Sequence, residues 1–449
     1  MLRISLILPR GLFVAHNRAM AEFMVSHSDT FRPWMIPSCG LLTVAALTPG
    51  EATFHYIDEQ VEDVDFDLPC DIVALSGMTQ QAPRAYEIAR EFRRRGVFTV
   101  MGGPHATVIP EEVLEHVDTV VVGEAEGAWE RFIDDFRRGR PNRMYRNDVL
   151  ERVDLASSPT PRYDLLGERF FAAGSGYKMM PVQTTRGCPR DCEFCSVPQV
   201  YGKVFRKKGV GQIVADVKAA QAAAPDQLIL FADDNMFIHR RFSSQLLEAL
   251  VPLRIRYMAQ SDIGIAGDEK LLRQMYRSGC VMVLVGLESL SPSALRQVDG
   301  YKARMLARYR EYVRRIQDHG MIALAAFIVG LDHDDASVFE RIEDFVRDTH
   351  VTPQITIATP LPRTAMTARL AEAGRLPDGG YWNRCTYYDA VYEPMGMTAE
   401  QLEDGVAALH RRLFASDLVA ARRGYMRRAL RRLGPRYQPL QGPPALLAR

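Results

Sequence analysis

Three cysteines within eight residues, Cys188, Cys192 and Cys195 in PVQTTRGCPRDCEFCSVP, are the densest concentration of reactive side chains in the chain. Their C-x₃-C-x₂-C spacing follows directly on an apolar, strand-forming run from Met179 to Thr185. Three thiolates on one short loop can ligate three corners of a 4Fe-4S cube and leave the fourth iron open to a small molecule. That vacancy separates a catalytic cluster from a closed electron-transfer one. Zinc is the alternative for a C-x₂-C pair, but a structural zinc needs a second knuckle, and no C-x₂-C or H-x₃₋₅-H partner follows. The other cysteines (Cys39, Cys70, Cys280 and Cys385) are scattered, and an odd total of seven suits metal ligation under reducing conditions better than a disulfide framework.

The elements that must position this loop read as two successive α/β units. In the first 150 residues, short apolar runs at 3–9, 52–58, 71–77, 98–103 and 119–124 alternate with helical stretches, the rhythm of a parallel sheet. Pro83 to Arg95 predicts a crossover helix, with Pro at its first turn, Ala85, Ile88, Ala89 and Phe92 on one face, and Gly96 as its stop. Ligands of such sheets bind beyond the carboxyl ends of the strands. Those ends read Asp58-Glu59, then Ser76, Gly77, Met78 and Thr79, then Gly102, Gly103, Pro104 and His105, then Gly123, Glu124, Ala125 and Glu126. Glycine and proline also make ordinary tight turns, and a lone His105 is more often a hydrogen-bonding residue than a metal ligand. No G-x-G-x-x-G or G-x-x-x-x-G-K-[ST] pattern is present, so neither a dinucleotide nor a phosphate-loop nucleotide is indicated.

Behind the cysteines, strands are expected at 181–185, 228–232, 256–260, 282–287, 323–329 and 354–358, with helices between them. The order is that of a partial (β/α)₆ barrel, whose active-site groups belong at the carboxyl ends of the strands. Those ends carry Asp233, Asp234 and Asn235, then Gln260 and Ser261, then Glu288 and Ser289, then Gly330. Any single carboxylate among them, Asp233 or Asp332 included, could instead cap a helix.

CPRDCEFC, with Phe194 just before the last cysteine, resembles the radical S-adenosylmethionine (radical SAM) enzymes. The resemblance implies that the open iron chelates the amino and carboxylate groups of SAM and that electron transfer cleaves SAM to a 5′-deoxyadenosyl radical. Phe194, Asp233, Asp234, Asn235, Gln260, Ser261, Glu288, Ser289 and Gly330 then stand where that family contacts SAM. An N-terminal domain with GGPHAT…PEE…VVGEAE ahead of such a barrel resembles the radical SAM enzymes with a cobalamin-binding domain. FADDNMF, GLES, FIVGLDHDD and TPLPRT are similar to the branch that includes hopanoid methylases. The likeness spans residues 1–400 and implies a corrin lined by Ser76 to Thr79, Gly102 to His105 and Gly123 to Glu126. The chain departs from the pattern twice. Arg363 replaces the glycine of P-x-P-G-T, and no D-x-H-x-x-G supplies a lower histidine ligand to cobalt, the fragment Asp348-Thr349-His350 being incomplete and misplaced.

The expected fold is therefore an α/β chain. It has a Rossmann-like doubly wound parallel sheet of cobalamin-binding type over 1–150, a linker over 151–174, a partial (β/α)₆ radical SAM barrel over 175–370 and a small, mostly helical C-terminal region over 371–449. In that last region Thr398 and Gln401 form a capping-box pattern, Arg422, Arg423, Arg427, Arg428, Arg431 and Arg432 are dense, and Tyr381, Trp382, Tyr387 and Tyr388 suit either substrate cover or packing. The resemblance implies SAM cleavage at the cluster and methylation of an unactivated carbon via methylcobalamin. The alternatives are a radical SAM reaction without methyl transfer (cyclisation, rearrangement, oxidation or transfer of another SAM-derived group), with cobalamin a bystander or absent, and a non-catalytic iron–sulfur electron carrier. A small-molecule or lipid substrate and an external electron donor such as flavodoxin or ferredoxin go with either radical SAM reading. Lys and Arg number 56 against 55 Asp and Glu, a net charge of +1 that gives no field favouring nucleic acid. No apolar run is long enough to span a bilayer and Pro9-Arg10 interrupts the start, so a cytoplasmic protein is expected.

Overall fold

The computed structural model describes residues 1–27, 36–147, 153–171 and 177–433. Parts of the expected linker (151, 152 and 172–174) and the end of the C-terminal region (434–449) lie outside that set. The first unit is a six-stranded parallel sheet built from β1 (Leu2–Leu8), β2 (Ala52–Asp58), β3 (Ile72–Ser76), β4 (Phe98–Gly102), β5 (Thr119–Val122) and β6 (Met144–Arg146). Its order is β2-β1-β3-β4-β5-β6. The change of direction on either side of β1 is what opens a crevice at the carboxyl ends. The first five strands fall where the apolar runs place them. β6 escapes sequence reasoning because three residues, Met-Tyr-Arg, carry no period of their own.

Both faces of this sheet are covered. On one, Val73, Leu75, Met101 and Val120 pack against Ala85, Ile88, Ala89 and Phe92 of the helix Ala82–Arg94, the face expected from its spacing. On the other, Ile4, Leu6, Ala74 and Val121 pack against Leu41, Leu42, Trp129 and Phe132. This second cluster does not stop at the edge of the unit. It continues without a break into Val182, Phe231, Tyr257, Val283 and Phe327 of the following barrel, so the two units share one core.

That barrel consists of β7 (Met179–Val182), the short β8 (Thr185–Arg186) and β9 (Arg206–Lys207), then β10 (Leu228–Phe231), β11 (Tyr257–Asp262), β12 (Cys280–Glu288), β13 (Ile322–Val329) and β14 (Thr352–Ile357). Six of them form an all-parallel sheet in sequential order, β7-β10-β11-β12-β13-β14, open between its two edges. Helices return each strand to its neighbour on the outside. For example, Asp268 caps Glu269–Arg277 by accepting the Leu271 N–H at 3.0 Å, and Leu271, Leu272 and Met275 bury the inward face. β8 and β9 form a separate antiparallel pair that joins the two ends of the cysteine loop. Gly187 follows β8 at φ +85°, where an added Cβ would lie 2.4 Å from the Val204 carbonyl oxygen, so the loop can close only on glycine.

The small β8–β9 pair also clamps the units together. Arg186 donates to Glu124 at 2.7 Å and to both oxygens of Glu126 at 2.7 and 3.0 Å, and Arg206 donates to Glu124 at 2.6 Å. Burial disfavours the Glu126 carboxylate, but Arg186 more than offsets it and holds its pKa below the ordinary glutamate value. At the C-terminus, Thr398 and Gln401 form the expected capping box of the helix Ala399–Leu413. The segment just before it reaches back to the first unit. Asp389 accepts the backbone N–H groups of Ala15, His16 and Asn17 at 2.7, 2.8 and 2.9 Å, and Trp382 donates to Glu112 at 3.0 Å. The arginine-rich helix Ser416–Leu433 lies against the barrel, where Arg422 is buried and donates to the Leu413 carbonyl at 2.7 Å.

Arg363, where the family pattern has glycine, adopts a backbone conformation that favours glycine. It stands at φ +59°, directly before Thr364, which caps the helix Ala365–Glu372. Two outcomes are expected. Arg363→Gly should leave the thermal midpoint unchanged or raise it, whereas Arg363→Val should destabilise by about 1–2 kcal/mol, because a β-branched residue does not tolerate the left-handed region; equal midpoints for all three proteins would be inconsistent with a left-handed residue here. Arg186→Met leaves Glu126 buried without its partner and should cost about 3–5 kcal/mol in urea unfolding followed by tryptophan fluorescence. A loss below about 1 kcal/mol would show that the clamp does not support the fold.

Candidate functional site

The carboxyl ends of the two sheets face each other across one cavity of about 870 Å³. Ser76, Gly77, Met78, Gly102, Gly103, Pro104, Gly123, Glu124, Ala125 and Glu126 line it from the first unit. Phe194, Cys195, Gln260 and Glu288 line it from the barrel. Residues that sequence reasoning assigns to two different cofactors therefore share a single chamber.

On the first side the floor is backbone. Gly103, at φ +88°, sits so close to β3 that a Cβ would lie 2.4 Å from Ser76 Oγ, whereas a Cβ on Gly123 would meet nothing within 4 Å. Bare glycine backbone at these turns leaves room for a broad planar macrocycle such as a corrin to approach the strand ends. Two members of the expected corrin lining do not reach the cavity. Thr79 is buried beside His105, and His105 itself is fully buried, its Nε2 2.9 Å from Tyr86 Oη and its Nδ1 3.4 Å from Thr79 Oγ1. The partner of this histidine cluster is Glu112. Burial acts against its carboxylate, yet hydrogen bonds from His105, Tyr86 and Trp382 bring its pKa down to about 2. His105 is thus a hydrogen-bonded core residue. Glu124 and Glu126 do line the cavity, but their carboxylates are spent on Arg186 and Arg206.

On the barrel side, Cys188, Cys192 and Cys195 sit together on the loop that leaves β8, all part-exposed. Burial raises the thiols of Cys192 and Cys195, to about 12 and 11, and each feels a neighbouring thiol, Cys195 acting on Cys192 and Cys188 on Cys195. Three sulfurs pooled on one loop are a donor set for a cluster and not for an isolated thiol. The loop is fixed on both flanks. Arg190 stacks on Tyr301 at 3.4 Å and donates to Asp262 at 3.2 Å, while Glu193 accepts from Gln297 and Arg369, both at 3.0 Å.

The acidic group after β10 divides by role. Asp233 accepts from the backbone of Thr184 and Thr185 at 2.7 and 2.8 Å and from Thr184 Oγ1 at 2.5 Å, so its oxygens hold the end of β7. Asn235 accepts from Ser261 Oγ at 2.9 Å and donates to Asp262 at 3.0 Å. Among the described residues Asp234 accepts only from Gly187 N, at 3.1 Å, and burial lifts its pKa to about 6. It is the member of the trio with capacity for an ammonium group, and a bound cation would restore its charge. Glu288 ends β12 at φ +64° and pairs with Lys302, a buried ion pair that faces Cys192. Ser289 is buried and accepts from Ser291 N at 3.0 Å. Gly330 lies outside the cavity lining; its N–H donates to Asp334 at 3.1 Å and its carbonyl accepts from Tyr392. Of the C-terminal aromatics, Tyr387 and Tyr388 line the cavity, whereas Tyr381 and Trp382 pack beside it. Sequence reasoning missed Arg186, Arg190, Asp262 and Lys302. The arginines flank the cysteines in TTRGCPRDC and could have been noticed there, while Asp262 and Lys302 carry no local signal.

Two family models match the chain in order: a B12 binding domain over residues 39–133 and the radical SAM superfamily over residues 182–346. Among curated proteins, bacteriochlorophyllide d C-12(1)-methyltransferase of Chlorobaculum tepidum is 27% identical over 85% of this chain and 83% of its own length. Hopanoid C-2 methylase of Rhodopseudomonas palustris is 28% identical over 83% of this chain and 71% of its own length. Among solved structures, the radical SAM methyltransferase TsrM from Kitasatospora setae, with cobalamin and a [4Fe-4S] cluster bound, superposes with a TM-score of 0.63 over 96% of this chain and 100% of that one, at 14% identity. The cobalamin-dependent radical enzyme OxsB gives 0.60 over 77% of this chain and 52% of that one, at 17% identity, so these two likenesses speak to the fold. With the cysteine loop, the glycine floor and both domain matches in one chain, the protein belongs to the radical SAM enzymes with a cobalamin-binding domain, whose cofactors are a 4Fe-4S cluster, S-adenosylmethionine and cobalamin.

Proposed function

We propose that the protein is a C-methyltransferase that acts on an unactivated carbon of a small molecule, drawing electrons from an external donor such as flavodoxin or ferredoxin. One observation carries the proposal: the loop that holds Cys195 and the glycine floor of the first domain line the same cavity, so a substrate carbon can lie between the two cofactor sites. The methyltransferases of similar sequence support the same reading.

In this reading Cys188, Cys192 and Cys195 hold the cluster, Asp234 receives the SAM ammonium, and Gly77, Gly102, Gly103 and Gly123 seat the corrin. Bound there, the cluster with SAM supplies a hydrogen-abstracting radical and the corrin supplies the methyl group. What the protein adds is placement and dryness. The Arg186 clamp fixes the separation of the two sites, Tyr387 and Tyr388 wall the chamber, and the apolar lining keeps water from a carbon radical. Of the five non-glycine residues with left-handed backbone among the described residues, Arg254 and His350 end helices, whereas Glu288, Arg363 and Tyr387 belong to this wall or to the loop beside it.

Protein purified anaerobically with hydroxocobalamin and a reconstituted cluster is expected to carry iron, sulfide and corrin in the ratio of one cube to one corrin. It should form both 5′-deoxyadenosine and S-adenosylhomocysteine once a substrate is supplied. Deoxyadenosine without S-adenosylhomocysteine would instead support a radical SAM reaction that transfers no methyl group. Cys188→Ala, Cys192→Ala and Cys195→Ala should each abolish the cluster and SAM cleavage together, whereas Cys280→Ala, buried at the start of β12, should retain both. Retained SAM cleavage in any of the first three would refute the ligand assignment.

A further inference from the structure

The charges on the cavity wall cancel. Among the described residues that line it, only Glu124, Glu126, Arg186 and Glu288 carry charged side chains. Each is ion-paired, Arg186 to both first-domain glutamates, Glu124 also to Arg206, and Glu288 to Lys302. No unspent charge is left to recognise an anionic or cationic substrate, and bringing one in would leave it buried and unpaired.

The cavity extends down the bore of the barrel. There the inward positions of β11 to β14 that line it are Gln260, Leu284, Ala326, Ile328, Gln354 and Thr356, so small and aliphatic side chains surround two amides, of which Gln354 is the one with a buried oxygen left unpartnered. Gln354 Oε1 is buried with no hydrogen-bond partner, and its Nε2 makes no hydrogen bond among the described residues either. The residue is part-exposed, so its NH₂ opens on the bore, while the buried carbonyl oxygen forfeits a hydrogen bond unless something in the bore supplies one. Its terminal torsion is soft, so the carbonyl or the NH₂ can turn to meet such a group. At the mouth, Leu12, Phe13 and Met78 line the cavity and are all exposed, Met78 by 52%. An apolar rim above a charge-balanced wall admits an apolar molecule more readily than a polar one.

Resting on the methyltransferase reading of this site, we propose that its substrate is a neutral, largely apolar molecule bearing one uncharged hydrogen-bonding group, and that Gln354 is the residue that selects for that group. The amide is spent on the substrate and not on SAM, whose charged groups fall to Asp234 and the cluster loop.

The test uses holoenzyme with corrin and reconstituted cluster, isothermal titration calorimetry, and three probes of one shape: cyclododecanol, cyclododecane and cyclododecyl sulfate. The sulfate should bind at least about tenfold more weakly than the alcohol. Gln354→Met, of similar length and without an amide, should lower the alcohol-to-hydrocarbon affinity ratio by about tenfold relative to the unaltered protein. An unchanged ratio would overturn the selection role, and a sulfate bound as tightly as the alcohol would overturn the neutral-substrate class without need of any variant. A tenfold loss of SAM affinity in Gln354→Met would assign the amide to SAM and overturn the inference as well. Corrin and iron are measured on the same samples. Loaded protein that fails these comparisons overturns this inference alone, whereas protein that takes up no corrin overturns the methyltransferase reading beneath it.

Discussion

Arg186 lies 7% exposed between Glu124 and Glu126, and the rest of the site is built around that contact. It comes from the strand that opens the cysteine loop, and its partners come from the turn after β5 that ends the glycine floor. A guanidinium held in a planar, two-pronged grip on a carboxylate fixes orientation as well as distance. The same side chain therefore sets the position of the cluster loop relative to the corrin floor and neutralises the charges that a crevice between domains would otherwise expose. Such a pair, taken from water, contributes little net stability compared with apolar packing, so its value lies in specifying one arrangement of the two sheets.

That arrangement explains why the two units share a core instead of meeting through a wet interface. The helix Cys39–Leu47 and the helix Ala128–Arg137 cover one face of the first sheet and are themselves covered by the barrel. Independent domain motion would expose this apolar surface, so the distance between the two cofactor sites is a property of the packed chain and not of a hinge. The charge balance of the chamber follows from the same economy: the carboxylates that would repel one another there are spent on building the joint.

Much of this was legible from the sequence, for identifiable reasons. The cysteine loop and the twelve sheet strands outside β8 and β9 depend on local pattern, and apart from the three-residue β6 they fall where apolar runs and turn residues put them. Asp233, Glu124 and Glu126 illustrate the limit. Their placement at strand ends was correctly read, but whether a carboxylate there faces a ligand or a neighbour depends on partners 49, 62 and 60 residues away, Thr184 for the first and Arg186 for the other two. His105 shows the same limit in reverse, since Tyr86, Glu112 and Trp382 absorb a side chain that its loop seemed to offer to a cofactor. Arg363, where the resemblance expects glycine, holds left-handed backbone directly before Thr364, whose capping of the next helix helps to fix the turn.

The carboxylate of Asp389 closes the N-terminal segment from 372 to 374 residues downstream. Contacts so distant in the chain carry a high loop-closure cost, which the three hydrogen bonds to one carboxylate help to offset. The same turn carries Tyr387 and Tyr388, which line the cavity, so the contact with residues 15–17 holds that wall in place. The wall of the chamber is thus moored to the domain that forms its floor by residues from opposite ends of the chain.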